Sequence, residues 1–326
     1  MKEALYYRQE GNAVRCQLCP HACLLMEGEQ GECQVREVKE GKLRASTYQR
    51  VSAVAMDPIE KKPLFHFQPG SQILSLGTVG CNLKCKFCQN YKIAHEPRRD
   101  TEELSSQQAV ELALAKDSIG LAYTYSEPLV WYEYVLETAK LARQEGLKNV
   151  LITNGMINPQ PLKELLPYID AINLDLKSFA DEFYQRICAG KLNPVKKTVE
   201  LTYKTTLLEI TTLLIPGLND SKAEIKQLVD WIADFDCQIP VHFARYFPRY
   251  QLHKEPTPVE KLLEAKNIAE EKLDYVYLGN IPNEQHRTTY CPDCKYPVIQ
   301  RGHNQVQVKL VDKSCPECGT KIKVSL

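Results

Sequence analysis

Short apolar runs alternate with amphipathic segments along the middle of the chain, from about residue 73 to residue 278. The apolar and β-branched runs predict strands over Ile73–Val79, Gly120–Glu127, Asn149–Thr153, Ala171–Lys177, Leu207–Ile215, Pro240–Phe247 and Tyr275–Leu278. Helical spacing of apolar positions predicts helices over Gln107–Lys116, Leu129–Glu145, Pro161–Tyr168, Lys222–Phe235 and Pro258–Lys272. This alternation of strands and helices favours a parallel sheet with helices outside it.

The length of the repeating region predicts an α/β fold with a full or partial (β/α) barrel. No Gly-x-Gly-x-x-Gly sequence follows a strand, so nothing favours a doubly wound, dinucleotide-binding sheet. The two ends of the chain differ from this region because they are rich in cysteine and carry little helical periodicity. We therefore expect a small cysteine-rich module over residues 1–68, the barrel over 69–282, and a four-cysteine ribbon over 283–326.

Charge and hydropathy narrow the class of protein only slightly. The chain has 326 residues with 41 Lys and Arg and 41 Asp and Glu, so its formal net charge is zero and does not indicate nucleic-acid binding. Its N-terminus lacks the apolar run of a signal peptide, and no apolar stretch is long enough to cross a bilayer. We expect a cytoplasmic protein without membrane contact.

Cysteine placement is more informative than composition. Apart from Cys188 and Cys237, which we interpret as ordinary buried thiols, the 13 cysteines fall into three close-set groups. Close-set cysteines in a cytosolic protein more often bind metal than form disulfides. The groups are Cys16, Cys19, Cys23 and Cys33; Cys81, Cys85 and Cys88; and Cys291, Cys294, Cys315 and Cys318.

The central triplet follows the first predicted strand, at the end of a barrel where active sites lie. Three thiolates at the spacing of Cys81, Cys85 and Cys88 can bind three irons of a [4Fe–4S] cluster and leave the fourth iron open. Structural clusters are normally closed by four cysteines, whereas an open metal position is typical of catalytic sites. The alternative is a structural zinc or iron site that takes its fourth ligand from elsewhere in the chain.

Polar residues at the ends of other predicted strands form a candidate ligand site. Glu127 ends the second strand, Asn154 follows the third, Asp175 and Lys177 share a face of the fourth, and His242 lies on the sixth. Polar side chains facing a barrel interior cost several kcal/mol unless they are paired or bind a ligand. The alternatives are a helix-capping role for Glu127, a structural pair of Asp175 with Lys177, and a structural His242.

The two outer cysteine groups predict further metal sites. Cys-Pro-x-Cys pairs beginning at Cys291 and Cys315 match a four-thiolate ribbon, for which we favour zinc over rubredoxin-type iron. The spacing of the N-terminal group is not that of a bacterial ferredoxin. It is compatible with structural zinc or with an auxiliary iron–sulfur cluster, and His21 is a candidate replacement for one cysteine.

The Cys-x3-Cys-x2-Cys pattern, with Phe87 before its last cysteine, resembles the radical S-adenosylmethionine (radical SAM) superfamily. In that superfamily the second strand commonly ends Gly-Gly-Glu, whereas Tyr125 and Ser126 precede Glu127 here. At a finer level the chain resembles the radical SAM component of the AmmeMemoRadiSam system, itself similar to pyruvate formate-lyase activating enzymes. Besides the triplet, this closer resemblance rests on Cys16–Cys33, Tyr125–Pro128, Asn173–Tyr184, Ile215–Asp220 and Val276–Asn280.

The resemblance implies an oxidoreductase that cleaves S-adenosylmethionine reductively into methionine and a 5′-deoxyadenosyl radical. The [4Fe–4S] cluster on Cys81, Cys85 and Cys88 would supply the electron, and the radical would abstract hydrogen from a protein glycine, a small molecule or a nucleoside. The implied partners are a protein reductant such as ferredoxin or flavodoxin and an unidentified substrate, with a protein among the candidates.

The resemblance also implies roles for the polar residues at the strand ends. Glu127 would receive the amino group of the methionine moiety, while Asp175 and Lys177 would hold the ribose hydroxyls and the methionine carboxylate. Asn154 and His242 are further candidate contacts to the cofactor. The alternative function is an iron–sulfur electron-transfer or metal-binding protein that does not cleave S-adenosylmethionine and has four cysteine ligands at every site.

Overall fold

An eight-stranded sheet forms the centre of the computed structural model, which describes residues 1–96, 100–302 and 305–326. Strands β2 to β8 are parallel and each pairs with the next along the chain, whereas β1 pairs antiparallel with β2 at one edge. The strands are β1 (Ala53–Pro58), β2 (Gln72–Gly77), β3 (Gly120–Tyr123), β4 (Lys148–Thr153), β5 (Ala171–Asp175), β6 (Leu207–Leu214), β7 (Val241–Arg245) and β8 (Val276–Gly279).

Sequential pairing of parallel strands is the arrangement of a (β/α) barrel and differs from the reversed order of a doubly wound sheet. Within the part of the chain that the structure describes, no ladder joins β8 to β1, so the barrel is partial. The predicted α/β fold with a parallel sheet is therefore confirmed. None of the described helices combines the length and hydropathy needed to cross a membrane.

Amphipathic helices connect successive strands of the sheet. Both α1 and α5 begin at serine caps, since Ser105 accepts from Gln108 N at 3.2 Å and Ser221 from Glu224 N at 3.2 Å. The helices are α1 (Ser106–Ala115), α2 (Tyr132–Gln144), α3 (Pro159–Leu165), α4 (Leu192–Thr202), α5 (Lys222–Ala233) and α6 (Val259–Glu270). Shorter helical turns occupy Ile59–Lys61, Tyr91–Ala94, Pro128–Trp131, Leu166–Tyr168, Asp181–Phe183, Tyr184–Cys188 and Glu284–Arg287.

The second predicted strand is shorter than its apolar pattern indicates. It ends at Tyr123, because Tyr125 has φ +70° and this left-handed conformation turns the chain out of the sheet. Tyr123 and Tyr125 consequently do not share a face. Tyr123 is fully buried and donates to Asn149 Oδ1 at 3.0 Å, whereas Tyr125 reaches the cavity described below.

Short antiparallel strands form most of the two chain ends, where the sequence shows little periodicity. The N-terminal strands are Lys2–Glu3, Tyr7–Glu10, Ala13–Cys16, Leu24–Leu25, Arg36–Lys39 and Lys42–Ala45, and Arg50–Val51 pairs with Glu102–Glu103. Near the C-terminus, Thr289–Tyr290, Pro297–Arg301 and Val306–Val308 make a three-stranded sheet. Strands of two to four residues leave too few alternating positions to be recognised from hydropathy alone.

A buried ion pair joins the N-terminal strands to helix α2. The Arg36 guanidinium donates to both carboxylate oxygens of Glu133, at 3.0 and 3.2 Å, and both side chains are almost completely buried. The backbone of Leu5 completes the network, since its N–H donates to Glu133 and its carbonyl accepts from Arg36. Charges buried this deeply are tolerated because each one is paired and hydrogen-bonded.

The segment that follows β1 connects the C-terminal sheet to the barrel. His66 donates through its backbone N–H to Glu209 on β6 at 2.7 Å and through Nδ1 to the Lys323 carbonyl at 2.8 Å. Burial lowers the pKa of His66 to about 4, so its neutral Nε2 accepts from Tyr277 Oη at 2.7 Å. The buried Arg301 also donates to the Phe65 carbonyl. These contacts anchor the four-cysteine ribbon to the base of the sheet.

We predict that Glu133→Leu lowers the free energy of unfolding by about 3–5 kcal/mol, because it leaves the Arg36 charge buried without a partner. The matched control is Glu182→Leu, which removes an exposed i,i+4 pair with Arg186 and should cost about 0–1 kcal/mol. Denaturant unfolding under anaerobic conditions measures both values. Equal effects of the two substitutions would show that the buried pair does not anchor the N-terminal strands.

Candidate metal and cofactor site

A cavity of about 720 Å³ opens where the carboxyl ends of the parallel strands meet. Residues from all seven parallel strands, or from the loops after them, line it. All eight residues that the sequence suggests for the central cluster and its cofactor contribute to the wall: Cys81, Cys85, Cys88, Glu127, Asn154, Asp175, Lys177 and His242. The sequence thus identified residues that the fold brings to one place.

The three central cysteines lie on the loop that leaves β2. Cys85 is buried, whereas Cys81 and Cys88 are partly exposed to the cavity. The Cys81 sulfur accepts from the Leu83 N–H at 3.3 Å and from Asn154 Nδ2 at 3.7 Å. Burial raises the pKa of the Cys81 thiol, and a metal that binds the thiolate would offset that effect. The loop therefore suits metal ligation in its donors and its surroundings.

Glu127 lies beside the triplet with both carboxylate oxygens held by the protein. One oxygen accepts from Thr153 Oγ1 at 2.6 Å and from Leu129 N at 3.0 Å, and the other accepts from Asn154 N at 2.8 Å. Burial raises the pKa of Glu127 to about 7 against the opposing effect of these hydrogen bonds. The glutamate caps the helical turn that begins at Pro128, and it also faces the cavity.

Asn154 connects Glu127 to the cysteine loop. Its Nδ2 donates to Asn82 Oδ1 at 2.9 Å, and its Oδ1 accepts from Met156 N at 2.8 Å. Asn82 in turn donates to the Met156 carbonyl at 2.7 Å. The asparagine pair fixes the loop after β4 against the residue that follows Cys81.

Asp175 and Lys177 form an ion pair of 2.6 Å between Oδ2 and Nζ on the cavity wall. Burial favours the neutral amine, but the charge of Asp175 and the nearby Cys85 outweigh it, and the pKa of Lys177 is raised. The lysine is therefore charged throughout the physiological range. Pairing accounts for the burial of both groups, and each still borders the cavity.

His242 lies deeper in the cavity wall and is tied to Glu209. Its Nε2 donates to Glu209 Oε2 at 2.7 Å, and its ring packs edge-on against Phe65 with centroids 4.8 Å apart. Burial favours the neutral acid at Glu209, but the hydrogen bond and charge of His242 outweigh it and lower the pKa of Glu209. In register, Asp175, Thr211 and His242 form a row across three adjacent strands.

The conformation of Tyr125 explains the departure from the Gly-Gly-Glu pattern. Its φ of +70° is in the region that glycine adopts most readily, so here a tyrosine occupies a glycine-like conformation. Tyr125 Oη donates to Asp57 Oδ2 at 2.7 Å, and Lys62 Nζ lies 4.7 Å from the ring centroid. The chain thus makes a glycine-like turn before Glu127, with a side chain added to the cavity wall.

Several residues at the site escaped the sequence interpretation because they are distant from the motifs along the chain. Glu60, Lys62 and Phe65 reach the cavity from the segment after β1, and Arg287 reaches it from the C-terminal part. Cys188 is fully buried, as predicted, and lies close enough to Cys85 to raise the pKa of that thiol, whereas Cys237 is exposed, contrary to the prediction. Only the short Cys-x-x-Cys spacings gave a local signal, and Cys188 has none.

The C-terminal cysteines have the geometry of a single-ion site. Among the described residues they form the one group of three or more histidine, cysteine or acidic side chains whose ligand atoms all lie within 4.8 Å. The Cys291 and Cys318 sulfurs are 3.5 Å apart, as are those of Cys294 and Cys315. These four cysteines form a zinc-ribbon-like group, as the spacing predicts.

The N-terminal cysteines surround a separate small cavity. Cys16, Cys19, Cys23 and Cys33 all line it, together with Arg36. Unlike the ribbon sulfurs, no three of their sulfurs lie within 4.8 Å of one another. His21 does not replace a cysteine in this wall, because its Nε2 bonds instead to the Asn82 carbonyl at 2.6 Å.

Comparison with known proteins agrees with this geometry. An uncharacterized protein of Methanocaldococcus jannaschii is 41% identical over the full length of both chains. Pyruvate formate-lyase 1-activating enzyme of Escherichia coli (strain K12) is 27% identical over 48% of this chain and 66% of its own. The crystal structure of Streptococcus suis SuiB bound to S-adenosylmethionine shares the fold, with a TM-score of 0.51 at 18% identity, covering 64% of this chain and 52% of that one.

The profile of the radical SAM superfamily matches residues 75–232, a range that contains the cysteine triplet and strands β3 to β6. The superfamily implies a [4Fe–4S] cluster and S-adenosylmethionine, and the donor set around the cavity fits both. Together with the full-length relative and the parallel barrel, this match shows that the chain belongs to the radical SAM superfamily.

Proposed function

We propose that this protein is a radical SAM enzyme that cleaves S-adenosylmethionine reductively at Cys81, Cys85 and Cys88. One observation carries the proposal: the three cysteines and five polar side chains from four further strands, or from the loops after them, line a single cavity of about 720 Å³. A cavity of this volume is within the range of small-molecule sites, roughly 300–1,000 Å³. When bound, the cluster and S-adenosylmethionine together supply a 5′-deoxyadenosyl radical that takes hydrogen from a substrate.

The protein's part is to bind and orient the cofactor. Glu127 is held by three hydrogen bonds, so its carboxylate is fixed next to Cys81 and can receive the methionine amino group without reorganising. Lys177 would offer its positive charge to the methionine carboxylate, and Asp175 would offer an oxygen to the ribose. Asn154 connects Glu127 to the triplet loop, since its backbone N–H donates to Glu127 and its side chain donates to Asn82.

The cavity wall also limits the access of water to the reacting atoms. Leu83, Phe87 and Phe65 are almost completely buried, and each contributes to the lining. Exclusion of water protects a reactive intermediate from side reactions. His242 belongs to this inner wall, where its bond to Glu209 fixes the orientation of the ring.

The proposed reaction does not identify its substrate. A protein glycine, a small molecule and a nucleoside are all candidates, and similarity to a pyruvate formate-lyase activating enzyme supports the first. Inferring a substrate from a relative with the same fold is an argument by analogy, because one fold can host different reactions. We also propose that this protein is related to the radical SAM component of the AmmeMemoRadiSam system. The reaction further needs a low-potential protein reductant of the ferredoxin or flavodoxin class.

We further propose that the C-terminal ribbon holds zinc in a structural role. Its four cysteines leave no open position for a substrate, which is typical of structural zinc. Thr320 Oγ1, which donates to Asp293, lies 3.2 Å from the Cys318 sulfur.

The first prediction concerns the triplet. In anaerobic assays of the reconstituted and reduced protein, Cys85→Ala should abolish formation of 5′-deoxyadenosine and methionine, because the cluster then lacks a ligand. The matched control is Cys237→Ala, which changes an exposed cysteine outside the cavity and should keep wild-type product formation. Retained cleavage in Cys85→Ala would remove the triplet from the mechanism.

A second prediction concerns recognition of the cofactor. Lys177→Met should weaken S-adenosylmethionine binding about tenfold to a hundredfold with unchanged iron content, because a charged hydrogen bond contributes about 1.5–3 kcal/mol. Lys226→Met, which disrupts an exposed lysine–aspartate pair on α5, is the matched control. Isothermal titration of the reconstituted proteins gives both affinities. Equal affinity in the two variants would contradict the role given to Lys177.

A third prediction separates the ribbon from the reaction site. Cys294→Ser should release the ribbon metal and lower the melting temperature, while iron bound at the triplet stays. Zinc and iron are measured on the same sample by inductively coupled plasma mass spectrometry. Iron rather than zinc in the wild-type ribbon, lost in this variant, would show a rubredoxin-type site instead.

A further inference from the structure

The N-terminal cysteines are arranged for a cluster rather than for a single ion. A tetrahedral zinc site with bonds of about 2.3 Å brings its four sulfurs to about 3.8 Å from one another. The ribbon sulfurs meet this requirement, whereas no three of Cys16, Cys19, Cys23 and Cys33 lie within 4.8 Å, although the structure describes all four. They nevertheless line one small cavity, so all four border a common space.

The central triplet supplies the comparison within the same chain. Its three sulfurs also do not all lie within 4.8 Å of one another, and the superfamily match includes it as the cluster-binding motif. In a [4Fe–4S] cluster each cysteine binds a different iron, so the sulfurs lie farther apart than around one ion. Neither the N-terminal group nor the triplet has the close sulfur packing of the ribbon. With four cysteines instead of three, the N-terminal group would leave no iron open.

Arg36 provides a second observation that points to an anionic group in this cavity. The side chain is buried and lines the cavity, and its Nε has no hydrogen-bond partner among the described residues. The other guanidinium nitrogens bind Glu133 and Leu5. A buried N–H without an acceptor is costly, and a cluster with four thiolates is negatively charged and rich in sulfur acceptors.

The N-terminal group also packs directly against the loop that carries the triplet. A Cβ atom on Gly80 would lie 2.7 Å from the Cys33 carbonyl oxygen and 2.5 Å from Val35 Cγ1, so the backbones touch just before Cys81. On the other side of Cys81, the Asn82 carbonyl accepts a hydrogen bond at 2.6 Å from Nε2 of His21, two residues after Cys19. The two cysteine groups are therefore neighbours through Gly80 and Asn82.

We propose that Cys16, Cys19, Cys23 and Cys33 hold a second [4Fe–4S] cluster through which electrons reach the central site. The proposed route rests on the proposed function of that site. One electron passes from a protein reductant of the ferredoxin or flavodoxin class to the N-terminal cluster and then to the cluster at Cys81. No bond forms or breaks at the N-terminal group, because its four cysteines fill every iron. Cys23 is partly exposed, so it lies on the side of the proposed N-terminal cluster that faces solvent.

The metal content of a variant without the central cluster tests the site. Cys81, Cys85 and Cys88 are all changed to alanine, and the protein is reconstituted with iron and sulfide under anaerobic conditions. We expect about four irons and four sulfides per chain and, after reduction, the electron paramagnetic resonance signal of one cluster. Absence of iron, with a second zinc per chain besides the ribbon zinc, would overturn the proposal. This result does not depend on cleavage of S-adenosylmethionine.

A second variant controls for misfolding and tests the electron route. Cys23→Ser removes one ligand at the partly exposed edge, and Cys237→Ser is the matched control. Folding is checked by circular dichroism and by retention of the ribbon zinc. In Cys23→Ser, reduction of the central cluster by reduced flavodoxin should fall at least tenfold more than its reduction by dithionite. Dithionite can reach the central cluster through the cavity and does not need the N-terminal group. Equal losses with the two reductants would contradict the route, even if cleavage of S-adenosylmethionine is normal.

Discussion

The parallel pairing of β2 to β7 is the constraint on which the rest of the structure depends. In parallel strands every carboxyl end opens on the same edge of the sheet, so side chains just beyond those ends must share one space. This brings the loop of Cys81 next to Glu127, and Asp175 into register with Thr211 and His242. Polar groups gathered in this way are costly to bury unless each has a partner. The Asp175–Lys177 and Glu209–His242 pairs meet that requirement and leave a cavity with fixed charges.

Three cysteine groups in one chain are distinguished by geometry rather than by composition. The ribbon sulfurs lie in mutual contact, as one tetrahedral ion demands. The triplet lies open to a large cavity, and the N-terminal group surrounds a small one. Packing of Gly80 against Cys33 explains how two of these groups become neighbours although they are separate in sequence. We propose that the triplet is the reaction site and that the neighbouring N-terminal group carries electrons to it.

Local signals in the sequence predicted the seven parallel strands and most of the site, but not β1, which lies in the segment expected to form the N-terminal module. Strand period and cysteine spacing act over a few residues, so the parallel strands and the positions of Cys81, Asp175 and Lys177 were predictable. Contacts between distant segments were not. Nothing near Cys188 indicates Cys85, and nothing near Arg36 indicates Glu133. The left-handed Tyr125 ended a strand that its apolar pattern prolonged, and helix α4 was also missed.

The proposed chemistry requires that the cluster at Cys81, Cys85 and Cys88 keeps one iron without a protein ligand. Mössbauer spectroscopy of protein reconstituted with iron-57 tests this most directly, with Cys23→Ser used to reduce the contribution of the N-terminal group. Addition of S-adenosylmethionine should change the isomer shift of one iron in about four, as expected for a newly ligated iron. A spectrum unchanged by S-adenosylmethionine would contradict the account, because a fourth protein ligand, for which the adjacent Cys188 is the nearest candidate, would then close the cluster.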